Sequence, residues 1–243
     1  MPEPAKRPFY LVAHRINDPD GIGDAVRAGA NAIECDVREN VVDHDGSFPW
    51  STKLTRWLDA AAVAARDLPS LALLYFDVKE PSALSVIVDK VRSKIPEQFN
   101  VLYSIARFDD RHRFSSIVTS LRSHEGIAID QHDDPDAVAN YFASIGAQRC
   151  WYGNGIFVAG PPWTLPGIEQ SIRRAVSIRD STNRLAKVVV WTLEKGDSMS
   201  NFIGIGVDAI LVARHAIPTL SSALQASSSA RIARRDDPAF GHS

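Results

Sequence analysis

The sequence predicts a single (β/α)₈ barrel, an α/β TIM barrel fold of eight parallel strands that are each followed by a helix. Short apolar runs alternate with helical segments eight times along the chain, whose 243 residues are an ordinary length for one such barrel. The runs lack polar alternation, as is typical of parallel strands buried on both faces. An open doubly wound sheet is the alternative, but no glycine-rich phosphate motif follows the first strand.

The first unit shows how each element is justified. Residues Phe9–His14 form an apolar run closed by a histidine, which is consistent with a buried parallel strand. Asp18 or Asp20 has N-cap chemistry for a short helix, and Gly29 is a good C-cap. The second strand follows at Asn31–Val37, so the three segments form a βαβ unit with parallel strands.

A polar, irregular stretch follows the second strand from Arg38 to Trp50 and contains His44. Long loops in compact domains are usually functional or disordered. A strong amphipathic helix is predicted over Lys53–Arg66, with Ser51 or Thr52 as its cap.

The same alternation continues to the end of the repeat. The remaining strands are predicted at Leu71–Lys79, Val101–Ala106, Gly126–Gln131, Arg149–Gly153, Lys187–Leu193 and Val207–Val212. Their helices are predicted at Ser82–Lys94, Asp109–Leu121, Asp134–Ile145, Gly167–Ser181, Asp197–Ile203 and Pro218–Ala226. We therefore expect one barrel over residues 9–226 and a C-terminal tail over residues 227–243 that packs on or near it.

Composition excludes several classes of protein. A net charge of −2 gives no argument for nucleic acid as a partner. Cys35 and Cys150 are too few for a disulfide scaffold or a thiolate zinc site, and we expect two free buried thiols rather than one bridge. The sequence contains neither a membrane-spanning run nor a signal peptide, so we expect a secreted mature form that has lost its leader or a cytoplasmic protein.

Two carboxylates mark the second strand. Because side chains alternate along a strand, Glu34 and Asp36 must share one face, while Ile33, Cys35 and Val37 occupy the other. Like charges on one face repel, and a bound cation is the simplest relief in an apolar strand. An exposed strand end with two solvated acids is the alternative.

Other polar side chains stand at the ends of predicted strands. His14 ends the first strand, Asp77 and Lys79 end the third, and Trp191 lies near the end of the seventh. The loops at these strand ends form the mouth of a barrel, where its reacting groups lie. Taken singly, each residue has a structural explanation, but together they predict a site at the mouth.

The residue types indicate the chemistry of that site. Three carboxylates without a thiolate suit Mg²⁺, or less well Ca²⁺, and not zinc. Two histidines beside such a cation can divide the proton transfers of phosphodiester cleavage, and Lys79 would add a charge for the phosphoryl oxygens. Trp191 offers an aromatic face to a quaternary ammonium group, although it could equally fill the barrel.

The motifs resemble those of the sphingomyelinase D/phospholipase D enzymes of spider venoms, actinobacteria and fungi, which belong to the wider glycerophosphodiester phosphodiesterase-like barrels. The motifs that carry the resemblance are His14 with Asn17, Glu34-Cys35-Asp36-Val37, His44 to Gly46, Phe76-Asp77-Val78-Lys79, Val190-Trp191-Thr192, and Gly206 to Ile210. Asp236-Asp237-Pro238 resembles the tail motif that plugs the far end of the barrel, with Ala239 in place of an aromatic residue.

The resemblance implies a role for each of these positions. His14 and His44 would be the catalytic histidines, and Glu34, Asp36 and Asp77 would be the Mg²⁺ ligands. Substrate-binding residues would be Lys79, Trp191, Asp130 and Tyr152. Such enzymes act on sphingomyelin or lysophospholipids, release choline and often leave a cyclic phosphate. We expect a monomer that acts on a choline-containing phospholipid or sphingolipid at a peripheral membrane surface.

The chain also departs from the family pattern. The loop around His44 lacks the paired cysteines of the venom enzymes. An arginine directly after the first histidine, here Arg15 after His14, resembles the sequence pattern of the glycerophosphodiester phosphodiesterases proper. Such a phosphodiesterase is therefore one alternative, and a non-catalytic binding barrel is another. Membrane contact would come from two apolar mouth loops, which contain Phe48, Pro49 and Trp50 in one and Phe157, Val158, Pro161, Pro162 and Trp163 in the other; packing of these side chains within the loops is the alternative.

Overall fold

The computed structural model describes residues 6–46, 51–155 and 165–241, and it contains a closed barrel of eight parallel strands surrounded by helices, as predicted. The barrel strands are β1 (Arg7–Ala13), β2 (Ala32–Val37), β5 (Leu73–Val78), β6 (Val101–Arg107), β7 (Glu125–Gln131), β8 (Cys150–Gly155), β9 (Lys187–Trp191) and β10 (Ala209–Val212). Each strand pairs in parallel with the next, and β1 closes the barrel by pairing with both β2 and β10.

The helices cover the outside of the barrel. They are α1 (Asp20–Arg27), α2 (Leu54–Asp67), α3 (Leu84–Arg92), α4 (Pro135–Ser144), α5 (Leu165–Thr182), α6 (Gly196–Ile205) and α7 (Ile217–Ala226). The Asp134 side chain caps α4 by accepting hydrogen bonds from the backbone N–H groups of Asp136 and Ala137. None of the described helices is long and apolar enough to cross a bilayer.

Two stretches differ from the sequence-based prediction. The helix expected over Asp109–Leu121 is a pair of 3₁₀ segments, Phe108–Ser116 and Val118–Ser120. Few apolar residues at helical spacing occur in the first segment, where Phe114 is the one buried side chain, so little packing energy favours an α-helix. After β2 the chain forms the short antiparallel strands β3 (Val41–Val42) and β4 (Thr52–Lys53), so Thr52 pairs with Val42 instead of capping α2.

The core has two layers that follow from strand alternation. Side chains on the outer face of the barrel, such as Ile33 and Cys35, pack against the helices. Those on the inner face, such as Tyr10, Tyr75 and Trp151, fill the barrel. Cys35 and Cys150 are both buried and free, as expected.

The tail closes the barrel at the end opposite its mouth. Strand β11 (Ala230–Ile232) pairs in parallel with the start of β1, and the Trp151 indole donates a hydrogen bond of 3.0 Å to the Ala239 carbonyl. Phe240, the residue after Ala239, is buried in the inner layer with its ring 6.4 Å from that of Trp151. Compared with the tail motif that the sequence resembles, which has an aromatic residue at the position of Ala239, this chain therefore has its aromatic residue one position later, at Phe240.

Candidate functional site

Three carboxylates from neighbouring strands meet inside the mouth of the barrel. Glu34 and Asp36 point inward from β2, and Asp77 of β5 lies beside Asp36 in the parallel register. One oxygen of each carboxylate lies within 4.8 Å of the other two. Glu34 and Asp36 are buried and Asp77 is nearly so, which excludes the alternative of solvated acids at an exposed strand end.

The electrostatics of this cluster favour a divalent cation. Burial is the main cause that raises the pKa of Glu34 well above its usual range, and repulsion from Asp36 and Asp77 raises this pKa further. Burial and the nearby Asp130 raise the pKa of Asp77 to about 7. Glu34 Oε1 and Asp77 Oδ1 are buried and accept no hydrogen bond from the described residues. Buried acceptors of this kind fit the oxygen ligands of Mg²⁺ or Ca²⁺.

Lys79 is the cation that the chain itself contributes to the cluster. Its ammonium lies 3.0 Å from Asp36 Oδ1, outside hydrogen-bonding geometry, and also donates a hydrogen bond to Asp77 Oδ2. Burial opposes the charge on Lys79, but Asp77 and Asp36 together raise its pKa above the usual value. Lys79 therefore carries its charge at the edge of the carboxylate cluster.

The segment after β1 orients two of the acids. The Arg15 backbone N–H donates to Glu34 Oε2 over 2.6 Å, and the Asn17 side-chain amide donates to Asp36 Oδ2 over 2.8 Å. These bonds occupy one oxygen of each carboxylate and leave the other directed elsewhere. The carboxylates are thus held in place by hydrogen bonds in addition to strand geometry.

His14 follows β1 directly and lies against the carboxylates. Its Nε2 is 3.8 Å from Glu34 Oε2, and its Nδ1 is 3.4 Å from the Thr192 hydroxyl. Burial and the charge of Arg15 lower the pKa of His14 to about 4. The imidazole is therefore neutral at pH 7, the state in which it can accept a proton.

His44 approaches from the segment after β3 and is held at three points. Its Nδ1 lies 2.5 Å from Asp45 Oδ1, its Nε2 lies 2.6 Å from Arg15 Nη2, and its backbone carbonyl accepts a 3.0 Å hydrogen bond from Arg38. About a third of the side chain is exposed. The ring is therefore positioned at the rim, between the barrel mouth and solvent.

A cavity of about 360 Å³ opens above the carboxylates and connects these groups. Its lining includes both histidines, Asp77, Lys79, Asp130 and Trp191, together with the unpredicted Arg15, Thr192 and Arg214. Volumes of this order accommodate a small ligand or the polar part of a larger one. The cavity thus brings imidazoles, a lysine and an indole to one space.

Asp130 and Trp191 form one wall of this cavity. Asp130 Oδ2 accepts a 2.9 Å hydrogen bond from the Tyr75 hydroxyl, and its backbone carbonyl accepts one of 2.5 Å from the Trp191 indole. Gly155 lies beside Trp191 in register, and a Cβ there would be 1.5 Å from the Trp191 carbonyl oxygen. Trp191 can therefore occupy this position only because residue 155 is a glycine, which has no Cβ.

The structure brings together eight of the nine residues proposed for the site. Tyr152 lies on the outer face of β8, where its hydroxyl donates to the His132 carbonyl over 2.5 Å. It is therefore turned away from the cavity, because its neighbour Trp151 takes the inner face. The apolar loop residues named for membrane contact, from Phe48 to Trp50 and from Phe157 to Trp163, lie outside the described residues.

Sequence reasoning assigned no role to several residues that the structure places at the site. Arg15 has a φ of +55°, and Asp45 and Thr192 each contact a histidine. The sequence signal available for these positions was adjacency, since Arg15 follows His14, Asp45 follows His44 and Thr192 follows Trp191.

Comparison with known proteins finds a matching family model and several relatives. The family model described as sphingomyelinase D/phospholipase D matches residues 4–217. A dermonecrotic toxin of Loxosceles arizonica, LarSicTox-alphaIB2a, is 25% identical over 247 residues, which cover 85% of this chain and 76% of the toxin. A sphingomyelinase D of Trichophyton rubrum is 24% identical over 224 residues, covering 84% of this chain and 68% of that enzyme.

Solved structures show the same fold. A glycerophosphodiester phosphodiesterase from Parabacteroides distasonis superposes with a TM-score of 0.66 at 16% identity, covering 90% of this chain and 98% of that one. A phosphodiesterase from Oleispira antarctica, solved with sn-glycerol-3-phosphate, gives 0.65 at 11% identity, covering 89% and 97%. At these identities the likeness concerns the barrel architecture alone.

Proposed function

Because the chain belongs to the sphingomyelinase D/phospholipase D family, a family of phosphodiesterases, we propose that it is an Mg²⁺-dependent phospholipase D for choline lipids. The substrate is sphingomyelin or a lysophospholipid, and the bond cleaved is the phosphodiester to the headgroup. The observation that carries the proposal is a cavity lined by His14, His44, Lys79 and Trp191, which includes Asp77 of the buried cluster of three carboxylates.

The carboxylates define the metal site of the proposed enzyme. Glu34, Asp36 and Asp77 would hold Mg²⁺, and Ca²⁺ is the less favoured ion because the cluster offers few protein oxygens. The bound cation would withdraw charge from the phosphoryl oxygens of the substrate. Lys79 adds a second positive charge on the same side of the cavity.

The two imidazoles divide the proton transfers. As a hydroxyl attacks phosphorus, one histidine accepts its proton, while the other donates a proton to the choline oxygen as the bond from phosphorus to that oxygen breaks. A hydroxyl of the substrate itself as the attacking group leaves a cyclic phosphate, whereas water leaves a phosphomonoester. In both cases choline departs with the proton that the second histidine supplied.

The headgroup is bound at the wall formed by Trp191 and Asp130. An indole face attracts a quaternary ammonium group, and Asp130, whose backbone carbonyl accepts the indole N–H, also lines the cavity. Burial raises the pKa of Asp130, although the Tyr75 hydroxyl that donates to it favours the charged form. A trimethylammonium group entering here would favour that charged form further.

Choline release from sphingomyelin and lysophosphatidylcholine tests the proposal. Activity should require Mg²⁺, disappear with EDTA and fall by on the order of a hundredfold or more in His14→Ala. His112→Ala, which removes an exposed imidazole outside the cavity, is the matched control. Choline release that survives both EDTA and His14→Ala would exclude the proposed mechanism, and mass spectrometry of the lipid product separates cyclisation from hydrolysis.

A glycerophosphodiester phosphodiesterase is the second candidate function. Arg15 beside His14 is the observation that favours it, since this pair resembles the glycerophosphodiester phosphodiesterases. Glycerophosphocholine offered in the same assay distinguishes the two enzymes. Cleavage of glycerophosphocholine without cleavage of either lipid would favour this second function.

We further propose that the enzyme acts outside the cell as a monomer at a membrane surface. Relatives described as dermonecrotic toxins support an external location. Immunoblots of culture medium and cell lysate test export, sedimentation velocity tests the monomer, and co-sedimentation with sphingomyelin vesicles tests membrane contact.

A further inference from the structure

Arg15 occupies an unusual position among the groups that line the cavity. Its backbone adopts the left-handed region, with φ of +55°, and its N–H is directed at Glu34. Its side chain reaches a different residue, His44, so that Arg15 Nη2 lies 2.6 Å from His44 Nε2. One residue therefore connects the carboxylate cluster to the histidine at the rim.

The chemistry of this contact defines the state of His44. A guanidinium group only donates hydrogen bonds, so His44 Nε2 must accept with its lone pair. The ring proton then lies on Nδ1, where it is donated to Asp45 Oδ1 over 2.5 Å. In this arrangement neither nitrogen of His44 is available to a substrate, because Arg15 occupies one and Asp45 the other.

We infer that Arg15 is a positioning residue that caps His44 Nε2 in the free enzyme and releases it when the phosphodiester of the substrate takes the guanidinium. This inference rests on the proposed function. A phosphodiester is an anion that accepts two parallel N–H bonds from one guanidinium, which an imidazole nitrogen cannot match. The Arg15 side chain is exposed and lines the cavity, so it can turn toward the phosphoryl oxygens without repacking the core.

The release couples substrate binding to the reactivity of His44. Before binding, Nε2 is held and the ring is kept in its Nδ1–H tautomer by Asp45. After binding, Nε2 is free to take up a proton from solvent and to deliver it to the choline oxygen, while Asp45 still accepts the Nδ1–H and orients the ring. Arg38, which donates to the His44 carbonyl, keeps the backbone of the segment in place during this exchange.

Kinetics of Arg15→Met and Arg15→Lys test the inference. Methionine has the same unfavourable left-handed backbone as arginine, so the substitution adds no strain, and it keeps the backbone donor to Glu34. We expect Arg15→Met to raise KM for lysophosphatidylcholine at least about tenfold, with a smaller effect of Arg15→Lys. Mn²⁺ affinity, used as a probe of the carboxylates, should stay within about twofold of wild type. Arg27→Met, which removes an exposed guanidinium, is the matched control.

Nitrogen-15 NMR of the histidine rings measures the state of His44 Nε2, which would not change with phosphate if Arg15 had only a structural role. In wild type, inorganic phosphate added with Mg²⁺ should shift the His44 Nε2 signal toward that of an uncapped nitrogen. In Arg15→Met the signal should already be shifted and should not respond to phosphate. The His44→Gln variant assigns the resonance.

Three results would overturn the inference: an unchanged KM in Arg15→Met, a His44 signal in wild type that ignores phosphate, or loss of Mn²⁺ binding in the variant. Arg15→Lys gives the same readouts should Arg15→Met fail to fold. Failure of the proposed function is distinct, because wild type would then release no choline while the NMR response to phosphate could still be measured.

Discussion

Asn17 and Asp36 form two hydrogen bonds with each other: the Asn17 amide donates to Asp36 Oδ2 over 2.8 Å, and the Asp36 backbone N–H donates to Asn17 Oδ1 over 2.9 Å. The pair joins the segment after β1 to β2. It also directs Asp36 Oδ1 toward Lys79 and the other carboxylates.

Asn17→Ala should therefore weaken metal binding without removing a ligand. Loss of a partner that orients a ligand typically lowers metal affinity or activity by about 10- to 100-fold. Isothermal titration with Mn²⁺ measures the effect, and Asn201→Ala, which removes an exposed amide on α6, is the control. Wild-type affinity in Asn17→Ala would show that strand geometry alone positions Asp36.

Gly155→Ala should impair catalysis through Trp191. The added Cβ would lie 1.5 Å from the Trp191 carbonyl oxygen, so the indole wall must shift. A displacement near 1 Å in a binding group can cost on the order of a hundredfold in rate. The measurement is kcat/KM for choline release, and Gly204→Ala, where a Cβ meets no atom within 4 Å, should leave it unchanged. Equal activity in the two variants would refute this role of Gly155.

Phe240→Ala should lower stability while leaving the active site intact. The ring is buried at the closed end of the barrel against Trp151, and removing a buried phenyl group costs about 3–5 kcal/mol. Urea denaturation measures the free energy of unfolding. Ile232→Ala in the same tail is the control because that side chain is about a third exposed. A loss of activity at temperatures where the variant is folded would contradict a purely structural role.

The ion pair between Arg92 and Glu125 should make stability depend on acid pH. Burial opposes the charge on Glu125, but two hydrogen bonds from Arg92 and one from the Arg122 backbone hold its pKa below the usual 4.5. Because the unfolded carboxyl binds its proton more readily, this contribution is present above the unfolded pKa and is lost as the pH falls through the lower folded pKa.

Glu125→Gln isolates that contribution. The variant should be less stable by about 1–3 kcal/mol at pH 7 and should approach wild type as the pH falls through the lowered pKa of the folded Glu125 carboxyl. Thermal unfolding between pH 3 and 7 provides the comparison. A difference from wild type that is constant over this range would exclude the ion pair as its source.

Strand parity shows what could be predicted for the site. In β2 the only two charged residues, Glu34 and Asp36, are two positions apart, so their shared face follows from the alternation of side chains along a strand. In β8 both faces are buried, and Cys150, Trp151 and Tyr152 contain no residue that must face inward. The outward position of Tyr152 was therefore beyond sequence reasoning.

By itself the sequence determined the barrel, its eight parallel strands and the gathering of His14, the three acids and Lys79 at one mouth, because local periodicity and chain order specify strands and their ends. Only the tertiary structure decided the contact between Arg15 and His44, the bonds of Asn17 to Asp36 and the place of Phe240 beneath Trp151. These contacts join residues whose spacing carries no periodic signal. Their geometry depends on loop conformations and side-chain rotamers, which become defined when the closed barrel brings distant segments together.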